Sequence, residues 1–239
     1  MNNSKAVIKK KASIKALKKT VIELLKSPDF RPELLNLLRI SPKEVVNALF
    51  SFLYNEDPAV KWNAVTAMGA FVSDLACRDM EAARVVLRRL MWNLNDESGG
   101  IGWGSPEAIG EILAMHDPLA KEYSSILLSY AREDGNFQEH PLMQRGVLWG
   151  IGRLVRSRPD LVQEAFWPHI IPFLDSGDPV VRGLAIRVLG LLGLDKTRSR
   201  LEGLKADESL VEIYENHALV TYRVKDLAKE ALKKLDMGG

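Results

Sequence analysis

Phe52-Leu53-Tyr54-Asn55-Glu56-Asp57-Pro58-Ala59-Val60-Lys61 returns further along the chain as Phe173-Leu174-Asp175-Ser176-Gly177-Asp178-Pro179-Val180-Val181-Arg182. Both stretches run on through a small residue, Ala64 or Ala185, to a Met-Gly or Leu-Gly step at Gly69 or Gly190. Residues 98–110, ending in Ile109-Gly110, and 140–152, ending in Ile151-Gly152, fit the same frame. The four glycines stand 41, 42 and 38 residues apart. Self-similarity at such a period marks a stack of units, each burying its apolar face only against its neighbours. A fifth, degenerate copy runs from Val224 to Leu232 and carries Lys233 at the glycine position, as suits a polar terminal cap.

Each period holds two helices. The amphipathic stretches Glu44–Tyr54, Met80–Asn93, Leu119–Arg132 and Leu161–Leu174 read as helix A. Helix B starts at Asp57-Pro58, Ser105-Pro106, Asp178-Pro179 and, as a weaker version, His140-Pro141. There an N-cap oxygen precedes a proline whose missing N–H costs nothing in the first turn. Ser27-Pro28, Ser41-Pro42 and Asp117-Pro118 repeat the device at other helix starts. Between Asp207 and Val224 the pattern changes. β-Prone Val211-Glu212-Ile213-Tyr214 and Leu219-Val220-Thr221-Tyr222 flank Glu215-Asn216-His217-Ala218, which predicts a short hairpin within the last repeat.

On Asp57, Pro58, Val60, Lys61, Ala64 and Gly69, and again on Asp178, Pro179, Val181, Arg182, Ala185 and Gly190, the chain resembles the HEAT-repeat family, including its phycobilisome-lyase-type repeats. The resemblance covers roughly residues 41–236 and implies an all-α solenoid of about five helix pairs, at 41–77, 78–116, 117–157, 158–194 and 195–236. Residues 1–40 form a basic arm and helical cap before it. The second and third copies depart from the pattern, with Ser98-Gly99 and His140-Pro141 in place of Asp-Pro. The family hosts scaffolds, transport receptors, lyase subunits and DNA-repair enzymes, so the fold leaves function open.

Composition narrows the field. Of 239 residues, 46% are hydrophobic and 27% charged, which is globular. A single cysteine, Cys77, excludes a disulfide framework and a Cys-rich zinc site. His116, His140, His169 and His217 include no i,i+4 pair for a helical metal site. No run approaches the ~18–20 apolar residues of a membrane span, and the N-terminus lacks an apolar signal core, so a cytoplasmic protein is expected. Nucleophile-elbow and phosphate-loop motifs are missing, so a non-enzyme without metal or cofactor is expected. His116 and Cys77 read as packing residues.

The net charge of +2 hides an asymmetry: Lys5, Lys9, Lys10, Lys11, Lys15, Lys18 and Lys19 are unopposed in the first 20 residues. This Lys5–Lys19 arm suits a nucleic-acid backbone or an anionic surface, or is simply a solvated helix face. Ile14, Leu17, Val21, Leu24 and Leu25 follow helical spacing and should pack on the body.

Helical stepping along the first helix B gathers Val60, Ala64, Ala67, Met68 and Phe71 on a core face and sets Trp62, Thr66, Ala70 and Ser73 opposite, towards solvent. Carried across the repeats, those positions give three columns on a concave surface: Trp62, Trp103, Arg145, Gly183; then Thr66, Glu107, Trp149, Arg187; then Ala70, Glu111, Arg153, Leu191. Tryptophan and arginine are the usual anchors of binding surfaces. The alternative is that the tryptophans pack between repeats and the arginines pair with Glu107 and Glu111. Before the second helix B, Asp96-Glu97-Ser98-Gly99-Gly100-Ile101-Gly102-Trp103-Gly104 forms a glycine-rich loop that either cradles a ligand or is a tight structural turn.

These readings converge on a scaffold that binds a protein or peptide through Trp62, Trp103, Glu107, Glu111, Arg145, Trp149, Arg153 and Arg187. Two rivals remain. Concave tryptophans and the lysine arm fit a repair enzyme similar to the HEAT-like DNA glycosylases. A lyase or cofactor-handling subunit similar to the bilin lyases is the other. Oligomeric state stays open.

Overall fold

The computed structural model describes residues 2–27, 29–40, 42–95, 102–162 and 164–237, and their side chains outside 2–13, 31, 35, 38–40 and 164. Helices α1 (Asn2–Leu25) and α2 (Arg31–Ile40) precede the repeats. Helix pairs follow: α3 (Pro42–Phe52) with α4 (Pro58–Arg78), α5 (Met80–Asn95) with α6 (Ser105–Met115), and α7 (Asp117–Ser129) with α8 (Pro141–Ser157). Three 3-10 segments, Pro159–Leu161, Glu164–His169 and Ile171–Asp175, stand before α9 (Pro179–Leu192), and short α10 (Arg198–Glu202) before α11 (Val224–Met237). Between α10 and α11, β1 (Leu210–Glu215) and β2 (Ala218–Arg223) pair antiparallel, Glu215 opposite Ala218. The molecule is an all-α solenoid with a small hairpin, as the repeat pattern implies.

One apolar cluster runs from Val21 to Leu235 through every repeat. In the first helix B, Val60, Ala64, Ala67, Met68 and Phe71 are all buried, which is the predicted core face. Val21 and Leu25 are fully buried while Lys15, Lys18 and Lys19 are exposed, so the second half of α1 docks on the body through one stripe. Each such aliphatic contributes about 1.5–3 kcal/mol on burial. The B helices pack most extensively on one another in chain order, α4 on α6, α6 on α8, α8 on α9 and α9 on α11, whereas α3, α5 and α7 each lie between their own partner and an earlier helix, α1, α4 and α6 respectively.

Helix starts follow local chemistry, with corrections. Asp57 caps α4 by accepting from the Ala59 N–H, and Asp178 caps α9 by accepting from Val180 and Val181. His140 is a full cap of α8: its Nδ1 accepts from the Leu142 N–H at 3.2 Å. Helix α7 is capped one residue earlier than expected, by His116, whose Nδ1 accepts from Leu119; Asp117 is the first helical residue. Ser105 is not a cap. Gly104 takes that place in the left-handed conformation (φ 78°), and a Cβ there would lie 2.2 Å from the Leu53 carbonyl oxygen, so the turn and the close approach both demand glycine. Ser105 thereby becomes the first residue of α6, with its Oγ buried and unpartnered. Pro28 and Ser41 lie outside the described residues.

The fourth helix A differs most from expectation. Residues 159–161, 164–169 and 171–175 form three short 3-10 segments rather than one α-helix, because Pro168 and Pro172 each remove an N–H and clash with the preceding turn. Cys77, expected to pack, is exposed on the last turn of α4.

Candidate functional site

The B-helix wall carries a groove, and the hairpin lies across it. Alternation along β1 turns Val211 and Ile213 onto α9 and leaves Leu210 and Glu212 exposed. Gly183, a member of the first column, is where the hairpin lands; a Cβ there would meet Val211 Cγ2 at 3.2 Å and Leu227 Cδ1 at 3.1 Å. Asn216 and His217 both have positive φ (48° and 66°), the mark of a two-residue type I′ turn. That tight turn brings the hairpin tip back over the first repeat.

Three aromatic rings join there. Tyr214 stacks on Trp62 with centroids 4.4 Å apart and planes 3° from parallel, and Trp62 meets Trp149 at 4.8 Å. The Trp149 indole N–H donates to the Tyr214 carbonyl at 2.8 Å. The Thr66 and Tyr214 hydroxyls are 3.4 Å apart. On the other side of the tip, Arg187 and the Tyr222 hydroxyl both donate to the Glu215 carboxylate. Burial pushes that carboxyl up, but the hydrogen bonds from Tyr222 and Arg187 outweigh it and hold Glu215 below the usual carboxylate range. Burial and the bond to Glu215 push the Tyr222 hydroxyl up.

Apart from Trp103, which stands in the turn before α6, the column residues lie on the B helices, but they do not all face solvent. Thr66, Glu107 and Glu111 are buried, and Trp62 and Trp149 are half-covered by the chain's own hairpin. The acids are closed over by cations from neighbouring B helices. Lys61 Nζ meets Glu107 Oε1 at 2.8 Å and lies 4.9 Å from the Trp62 ring centroid; Arg153 Nε meets Glu111 Oε2 at 2.7 Å. Arg145 is 2.6 Å from Asp178, so one carboxylate both caps α9 and ties it to α8. Pairing of acids with cations across repeats explains the burial of charge that exposure alone would not allow.

Among the described residues, three open clefts border the hairpin; one, of about 580 Å³, lies between its tip and Lys26, Asp29, Phe30, Pro58 and Asn63, and the other two carry the expected site residues. Of these two, one of about 230 Å³ is lined by Glu111, Arg153, Arg156, Arg187, Asn216 and His217 among others. The second, of about 540 Å³, lies between β1 and the N-terminal turns of α4, α6, α8 and α9, with Trp62, Trp103, Glu107, Arg145 and Trp149 in its wall. Trp103, 42% exposed, is the most accessible of the expected site residues that the structure describes. Of the glycine-rich loop, Gly102 and Gly104 flank Trp103, while Asp96, Glu97, Ser98, Gly99 and Gly100 lie outside the described residues. Tyr214, Glu215 and Tyr222 are the groove residues that column arithmetic passes over, because they come from outside the helical repeat. The signal was present in the half-apolar alternation of β1, which needs a surface to cover it.

No protein-family model matches the chain. An uncharacterized protein from Archaeoglobus fulgidus is 26% identical over 201 residues, covering 82% of this chain and 98% of its own. Among solved structures, a chain from the Kap95p–RanGDP structure aligns with TM-score 0.59 and 15% identity, over 91% of this chain and 30% of that one. A computationally designed armadillo repeat protein for modular peptide recognition aligns with TM-score 0.54 and 15% identity, over 92% of each chain. The fold is that of the armadillo/HEAT-type helical repeat proteins. Among the described residues, no helix is long and apolar enough to cross a membrane.

Proposed function

We propose that this protein is a binding module that holds an extended segment of a partner protein on its B-helix face, the concave side of the solenoid. One observation carries the reading: the groove already grips an extended segment of its own chain. Trp149 donates to a backbone carbonyl of β1, and Trp62 stacks on the side chain of the same residue. A backbone hydrogen bond from a fixed indole and an aromatic platform for the side chain are what recognition of an extended peptide requires. A designed armadillo repeat protein made for modular peptide recognition shares the fold, which supports the same use of the wall.

In this reading the eight wall residues divide the work. Trp103 and the exposed part of Arg145 touch the partner. Trp62 and Trp149 fix the hairpin as one bank of the site, and Glu107, Glu111, Arg153 and Arg187 hold the helices and hairpin in register through their ion pairs. The test is site-specific photo-crosslinking to short peptides selected on the intact protein from a random display library. A photoreactive side chain at position 103 should capture the selected peptides. The same group in place of Trp92, 73% exposed on α5, should not. Equal capture at both positions, or capture at 92 alone, would remove the B-helix face as the binding surface.

A further inference from the structure

The exposed apolar surface is not spread evenly. Ten large hydrophobic side chains stand exposed among the described residues, and five of them, Tyr54, Trp103, Leu142, Leu210 and Leu219, line the single cleft of about 540 Å³. Clustering of this kind marks a contact surface rather than the scattered exposure of ordinary surfaces. The charge of the cleft is one-sided as well. Its cations are engaged, Lys61 with Glu107 and Arg145 with Asp178. Glu56 and Glu212, both exposed in its lining, have no cationic partner among the described residues. Two carboxylates thus stand unopposed on an apolar cleft.

The backbone of β1 adds a third element. In a hairpin closed by a two-residue type I′ turn, the closing pair Glu215 and Ala218 exchange hydrogen bonds, and so by alternation do Ile213 with Val220 and Val211 with Tyr222. The N–H and C=O groups of Leu210, Glu212 and Tyr214 then point away from β2. The Tyr214 carbonyl, which receives the Trp149 indole N–H, agrees with that direction. Glu212 presents its N–H and C=O on the same edge.

Resting on the binding role proposed above, we infer that this cleft selects one chemistry of partner: an extended segment with a lysine or arginine between large apolar residues. Its backbone pairs with the free edge of β1 at Glu212. Its basic side chain meets Glu56 and Glu212, and its apolar side chains cover Trp103, Leu142 and Leu210. Strand addition supplies affinity through the main chain, and the lining supplies the choice of side chain.

The experiment is selection of short random peptides by wild-type protein, by Trp103→Ala, and by the double charge reversal Glu56→Lys, Glu212→Lys. Both glutamates are exposed, so the reversed protein should keep its helical circular dichroism. Wild type should enrich peptides with a central basic residue between apolar ones. A synthetic copy of the best sequence should bind about tenfold tighter than its Lys→Glu counterpart at low salt, and the difference should shrink at high salt. The charge-reversed protein should prefer the Glu peptide. Enriched peptides that need Trp103 but carry no central base, or that ignore the reversal, would overturn this inference and leave the groove reading standing. No enrichment over Trp103→Ala would overturn both. A concentration-dependent dimer abolished by Trp103→Asp, with no peptide enriched, would assign the cleft to a second copy of the chain instead.

Discussion

Replacing Gly110 with alanine should destabilise the protein, although glycine-to-alanine in a helix normally stabilises by about 0.5–1 kcal/mol. Helices α6 and α8 cross backbone against backbone at this point. A Cβ on Gly110 would lie 2.3 Å from Gly150 Cα and 2.7 Å from its carbonyl oxygen. Neither atom belongs to a side chain that can swing aside, so the helices must part by about 1 Å. A radial gap of that size forfeits up to half of each dispersion contact along the crossing. Overpacking costs typically about 1–3 kcal/mol, and a clash against rigid backbone on both sides falls in the upper part of that range, about 2–3 kcal/mol. Subtracting the helix-propensity gain leaves a net loss of about 1–2.5 kcal/mol, or a drop of roughly 2–10 °C in Tm for a chain of this size. Gly152, two residues further on, is the control: its nearest neighbour is Val188 Cγ2 at 3.6 Å, an ordinary contact. Gly152→Ala should therefore raise Tm. Thermal and urea unfolding of the two variants, followed by circular dichroism, decides the matter. If Gly110→Ala matches or exceeds wild type, or Gly152→Ala is equally damaging, the close crossing of the second and third repeats is not as described.

Trp149→Phe keeps a ring against Trp62 but removes the donor to the Tyr214 carbonyl, and should cost about 1 kcal/mol while speeding amide exchange across 210–223; unchanged exchange would show that the indole N–H does not hold the hairpin. Glu215→Gln tests the other fastening. A carboxyl held below its unfolded value of about 4.3 lends stability above that pH and loses it as pH falls through the lower folded value. Wild type should therefore lose hairpin protection on acidification, and the Gln variant should show a flatter acid limb. Parallel acid limbs for the two proteins would mean the Glu215 carboxylate is not what secures the tip.

Repeats, helix pairs and the position of the hairpin were legible because each rests on local chemistry: Asp-Pro starts, apolar spacing, a β-prone run around Asn216-His217. Where two local rules competed, the sequence could mislead. Leu161–Leu174 has the apolar content of a helix, but Pro168 and Pro172 decide its geometry. At 104–106 the left-handed Gly104 overrides the Ser-Pro start. The repeat glycine of the third copy shows a subtler shift, since the tight contact with α6 falls at Gly150 and not at Gly152. For the candidate site, stepping around the helix placed Trp62, Glu107, Trp149 and Arg187 on one wall, yet said nothing of what covers them. Exposure there is set by partners far along the chain, Lys61 over Glu107, 46 residues away, and Tyr214 over Thr66, 148 residues away, and no local pattern encodes that.

The stack of Tyr214 on Trp62 has a mechanical consequence. An open array of helix pairs behaves as a spring, free to change its pitch because each unit touches only the next. Here the last repeat is fastened to the first, so the coil is a buckled hoop held at one radius. Widening or tightening it must first separate those two rings. The clasp also couples the ends: it adds a contact of long sequence separation, whose loop-closure entropy a linear array of neighbour contacts does not carry.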